Sequence, residues 1–235
     1  DTQVAAIADP VVEPSLTGIE FADVDATIDD TLFEEEGSFA GAVEPETAAP
    51  SIEAAAPVEA APYLPEVPKA LSLDRAATEG NPVAQFKWGE ARLEANDFAA
   101  GAEFVQLAAR QGLPAAQYRL AKLHERGIGV PRDLFEARSW TEKAANGGNT
   151  KAMHDLAVFY ADGEGGAQSY AAAAEWFRKA AEHGVVDSQY NLAVLYENGL
   201  GISPSQAEAL YWYEIASING DASAPGNVAT LRDAL

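Results

Sequence analysis

Cysteine is absent from the 235 residues, which removes disulfides and thiolate metal sites together. Basic residues are scarce: 15 lysines and arginines face 37 acids, for a net charge of −22. That balance excludes nucleic acid as a partner and argues against contact with an anionic membrane surface. No run of about 18 apolar residues occurs, so the sequence holds no transmembrane helix. Only three histidines are present. His124, His154 and His183 share no three- or four-residue spacing of the kind a helical metal site needs. No Gly-x-Ser-x-Gly elbow or other nucleophile motif occurs. The expectation is no catalysis, no metal and no cofactor.

What is present divides near residue 70. Residues 1–70 hold 16 acids, one base (Lys69) and 8 of the 13 prolines, a composition that buries too little apolar surface to offset ordering entropy. It reads as an acidic, disordered or extended tail with a net charge of −15, leaving −7 for residues 71–235. Within it, residues 19–33 alternate apolar side chains with acids, which suits either a plain acidic linker or a segment that docks in a groove. A calcium-loop reading of Asp23, Asp25, Asp29 and Glu34 fails, because Ile28 stands where the sharp turn needs glycine. Proline, alanine and glutamate between Ala48 and Pro68 make a semi-rigid spacer. The chain starts at Asp1 with neither methionine nor signal peptide, and reads as a piece of something longer.

The second part repeats itself. Gly112, Gly148, Gly184 and Gly220 stand 36 residues apart, with a shorter copy from Gly80. Within the copies Leu120, Leu156 and Leu192 recur, each followed by alanine, as do Trp140, Trp176 and Trp212, each followed one turn later by Ala144, Ala180 or Ala216. This i, i+4 apolar spacing predicts two helices per copy. The expected helices are Leu71–Glu79, one from Asn81, Asp97–Gln111, Pro114–Arg126, Asp133–Asn146, Thr150–Ala161, Ser169–His183, Asp187–Asn198, Ser205–Asn219 and a cap over Asn227–Leu235. The fold class is therefore all-α: a solenoid of about four helix pairs, with repeats near 80–111, 112–147, 148–183 and 184–219 and a terminal cap at 220–235.

Each full copy has a glycine-rich break between its helices: Gly127–Pro131, Gly163–Gly166 and Gly199–Pro204. With no preceding strand and no following Lys-Ser, these are helix C-caps rather than phosphate loops. His183 interacts with a helix C-terminus. The tryptophans belong in the core between helices. Phe86, Tyr118, His154 and Tyr190 lie six positions past their glycines. About 160° from the packing stripe at 100° per residue, they leave the seam and line the inner wall. Lys122, Val158 and Val194 follow one turn later, with Lys151 one turn before. This mixed aromatic and charged strip suits an extended or acidic peptide; the competing reading is that the aromatics brace adjacent repeats.

Ala116–Gly129 and Ser188–Gly201, written out, resemble the Sel-one-like repeat (SLR), a relative of the tetratricopeptide repeat. The resemblance implies a right-handed α-solenoid acting as an adaptor, with its concave face built from the first helix of each repeat. Lys151–Gly163, Arg138–Ala145 and the acidic proline-rich lead-in further resemble the periplasmic C-terminal region of the PodJ family of polar organelle development and localisation factors. That resemblance implies a non-enzymatic scaffold in the periplasm, part of a single-pass inner-membrane protein at a cell pole, with polar or cell-envelope proteins as partners. The contact would run through Phe86, Tyr118, Lys122, Lys151, His154, Tyr190 and Val194. Binding a sensor kinase, or binding peptidoglycan, are the alternatives.

Overall fold

From Leu73 to Ala234 the chain is a succession of short helices joined by tight breaks. The computed structural model describes residues 72–235; the expectations for residues 1–70 lie outside the described residues. The helices are α1 (Leu73–Thr78), α2 (Pro82–Glu94), α3 (Phe98–Arg110), α4 (Pro114–Arg126), α5 (Leu134–Asn146), α6 (Thr150–Asp162), α7 (Tyr170–Glu182), α8 (Val186–Asn198), α9 (Gln206–Ile218) and α10 (Ala224–Ala234). No strand occurs among the described residues. Each helix packs chiefly on its sequence neighbours, the signature of a solenoid in which a repeat touches only adjacent repeats.

Local chemistry fixes the helix ends. Asn81, Asp133, Asn149, Ser169 and Ser205 accept backbone N–H bonds at the starts of α2, α5, α6, α7 and α9, replacing partners that a helix start lacks. Gly127, Gly163 and Gly199 end α4, α6 and α8 in the left-handed conformation, as the C-cap reading requires. His183 is the C-cap residue of α7. The cap helix α10 starts at Ala224 rather than Asn227. The Asp221 carboxylate accepts from the Ser223 and Ala224 amides and so begins the helix in the repeat's own register.

The second glycine of each break does separate work. Gly129, Gly165 and Gly201 also have positive φ, and a Cβ on them would collide with the backbone at the N-termini of α3, α5 and α7 respectively. Each break thus seats on the second helix of the preceding repeat, an approach only glycine permits. The first repeat joins its helices through the shorter Ala95–Asp97, and Asn96 takes the positive φ instead. Arg138 reinforces one seat. Its Nη1 donates to the carbonyls of Glu164 and Ala167, while its guanidinium lies 4.0 Å over the Tyr160 ring.

The core runs along the stack as linked clusters. Leu120, Leu156 and Leu192 are fully buried beside Ala116, Ala152 and Ala121, Ala157 and Ala193, and the alanines let neighbouring helices approach closely. The tryptophans meet the expectation in part: Trp140, Trp176 and Trp212 pack against the core clusters but are half-buried rather than enclosed. Lys143 and Lys179 roof Trp140 and Trp176 at 3.6 and 3.8 Å. An indole is too wide for a seam already filled by alanine and leucine, so it packs one face on the core and turns the other to a cation.

Candidate protein-binding face

The first helices of the repeats differ from the second in what they show to solvent. Pro114 to Glu125, Thr150 to Ala161 and Val186 to Tyr196 contain no exposed residue. A helix with no exposed residue over three turns is flanked on both sides and backed by a third neighbour, which puts α4, α6 and α8 on the inner wall. α5, α7 and α9 each carry fully exposed side chains, among them Glu142, Glu175 and Tyr211, as an outer layer requires.

Ion pairs lace the inner wall from repeat to repeat. Arg119 on α4 reaches Glu90 on α2 at 2.9 Å, and Lys122 on α4 reaches Asp155 on α6 at 2.9 Å. These are the same two repeat positions, ten past one glycine and seven past the next, with the charges exchanged. At the third junction the positions hold Val158 and Asn191 and carry no ion pair. Exchanged charges oppose a slip of one repeat along the stack, because a slip would set Glu90 against Asp155.

Asp155 is nearly buried and accepts from both the Tyr118 hydroxyl at 3.0 Å and the Lys122 ammonium. Lys122 also bonds Glu125 at 3.0 Å. Burial by itself lowers the Lys122 pKa, but attraction and hydrogen bonds from Asp155, followed by those from Glu125, outweigh it and hold the ammonium above its ordinary value. Further along, Tyr213 donates to Glu197 at 2.8 Å and meets the Tyr190 ring edge-on. Burial first, then the Glu197 carboxylate, push the Tyr213 phenol well up. Asn227 of the cap donates to the Tyr190 hydroxyl.

The predicted strip divides on these contacts. Tyr118, Lys122, Lys151, Tyr190 and Val194 are half-buried on the inner wall, beside Val158. Two predicted members leave it. His154 is 0% exposed, its Nδ1 2.7 Å from Ser188 Oγ and its ring edge-on to Phe177; Phe86 is 7% exposed in the first core cluster. The reason is geometric: the position six past the glycine points at the next first helix, so a side chain there is covered in proportion to how closely that helix approaches. Ser188, where Ala116 and Ala152 stand in other repeats, gives His154 a polar partner. Lys151, unlike Lys122, makes no ion pair among the described residues.

Sequence reasoning passed over a second set of inner residues. Gln85, Gln117 and Gln189 each donate to the carbonyl of Ala77, Ala109 and Ala181, tying a first helix to the C-terminus of the helix before it. The recurrence of glutamine at one position is the signal for it. Met153 takes that place in the third repeat. Among the described residues no His, Asp and Glu group is arranged to hold a metal, and no helix is long and apolar enough to cross a membrane.

Residues 114–149, 150–185 and 186–221 each match the Sel1 repeat family. Two solved structures are similar. A protective antigen of uropathogenic Escherichia coli strains displaying an SLR fold is 30% identical over 68% of this chain and 35% of its own, with a TM-score of 0.64. A Sel1 repeat protein from Oxalobacter formigenes is 31% identical over 65% of this chain and 64% of its own, with a TM-score of 0.58. This chain thus spans about a third of the first and less than two thirds of the second. No curated protein matches it. The described helices therefore carry three consecutive Sel1 repeats, residues 114–221, in an SLR fold.

Proposed function

We propose that the chain is a non-enzymatic protein–protein interaction scaffold whose inner wall holds an extended segment of its partner. Sel1 repeats generally serve as protein–protein interaction scaffolds. The observation that carries the reading is the wall itself: Tyr118, Lys122, Val158, Tyr190 and Val194 form a half-buried row, with the polar members fixed in advance by Asp155, Glu125 and Asn227. Side chains already immobilised lose little entropy on binding. Lys151 supplies charge free to meet an acidic partner group.

The cellular setting extends this proposal. The likeness of Lys151–Gly163 and Arg138–Ala145 to the PodJ family supports a periplasmic part of an inner-membrane polar localisation factor, recruiting polar or cell-envelope proteins. The chain used as bait in solubilised envelope should capture a defined protein. Lys151→Glu should lose it while melting unchanged. Equal capture by that variant contradicts use of the inner wall, and capture of peptidoglycan alone favours wall binding over a protein scaffold.

A further inference from the structure

The outer face of α9 differs from that of every other second helix. Tyr211 and Ile218 are 52% and 79% exposed. At 100° per residue they lie with Ala207 within about 40° of one another, and Ile215 borders the stripe. One repeat earlier the positions of Tyr211, Ile215 and Ile218 hold Glu175, Lys179 and Glu182; two repeats earlier they hold Ser139, Lys143 and Asn146. Three polar positions have become apolar together in one helix, and the lysine that roofs Trp140 and Trp176 is replaced by Ile215, with Tyr211 edge-on to Trp212. An apolar stripe confined to one repeat has no role in the periodic core, which the other repeats build without it.

The surroundings name its complement. Glu208 and Glu214 flank the stripe on α9, and Asp221 and Asp233 follow it in the chain. The single base from residue 206 to 235 is Arg232, which is spent on Glu214 at 2.6 Å. A second copy would bring these acids against themselves, and the N-terminal 70 residues, with 16 acids and one base, would add more. We propose that this face docks a basic amphipathic helix of a protein partner, apolar residues on the stripe and lysine or arginine over the flanking carboxylates. It is a second interaction surface, on the opposite side of the solenoid from the inner wall.

The test titrates the full chain, at about physiological salt, into a labelled helical peptide with leucine on one face and lysine elsewhere. Its mirror carries glutamate for lysine. The lysine peptide should bind, the glutamate peptide should not, and Tyr211→Ser with Ile218→Asn should weaken binding at least ~10-fold, about 1.4 kcal/mol. Those two replacements are the residues α5 carries in the same register, so net charge and fold are preserved; Phe135→Ser, on exposed α5, should change nothing. Equal binding by the double variant, or binding of the glutamate peptide, overturns the proposal. Self-association of the wild type that the double variant abolishes assigns the face to a second copy and overturns it equally.

Discussion

The inner and outer walls are built from helices of the same length, yet they obey different rules. Along α4, α6 and α8 nearly every side chain is covered, and several polar ones are committed to partners one repeat away, as Lys122 is to Asp155 and His154 to Ser188. Along α5, α7 and α9 the covered face is mostly alanine with a half-buried indole beside it, and fully exposed positions occur on the opposite face. A helix flanked on both sides has its residues dictated by neighbours. A helix at the rim is free to vary, and α9 uses that freedom for an apolar stripe.

The comparison can be broken at its joint. Gly129→Ala adds a Cβ against the α3 backbone at positive φ and should cost about 4 kcal/mol in denaturant unfolding. Gly148→Ala, with positive φ but open space around it, should cost only about 1–2 kcal/mol. Equal losses would mean that the breaks do not seat on the preceding repeat. Within the walls, Asp155→Ala leaves the Tyr118 hydroxyl without its acceptor and Lys122 with Glu125 alone and should cost about 2 kcal/mol, against no more than about 0.5 kcal/mol for exposed Glu175→Ala on the outer wall. Alkaline titration sharpens this contrast. Because the folded state raises the Lys122 pKa, its contribution is complete below the ordinary lysine value of about 10.4 and is lost as pH rises through the folded value. The wild type should therefore lose stability above pH ~10.4 more steeply than a Lys122→Met variant; parallel profiles would remove the ion pair from the account. On the outer wall, Lys179→Ala exposes one face of Trp176 and should cost about 0.5 kcal/mol, seen as a slight drop in melting temperature.

The repeat and its helices were legible because periodicity is a property of the sequence itself. Gly127, Gly163 and Gly199 marked helix ends, and the observed helices start and stop within a residue or two of expectation from α2 through α9. Contacts between repeats were less legible. Periodicity gives the angle of Tyr118 or His154 around its helix, but coverage depends on the distance to the next helix and on whether that helix offers Asp155 or Ser188. Phe86 and His154 therefore looked like wall residues and are packed ones. The tryptophans were legible in part: strict recurrence signals a shared environment against the core, but not that one face of Trp140 and Trp176 is left to Lys143 and Lys179. The exchanged charges of Glu90–Arg119 and Lys122–Asp155 are visible in the sequence only once the junction geometry says which positions meet.

Because the chain lacks cysteine, a single introduced cysteine gives a unique attachment point for a photo-crosslinker, and placing it on either wall tests most directly where the partner binds. With the crosslinker at Lys151→Cys, illumination in the envelope should join the chain to a discrete protein; at Glu142→Cys, on exposed outer α5, it should not. Crosslinking from Glu142 with none from Lys151 would contradict the inner wall as the scaffold's working surface.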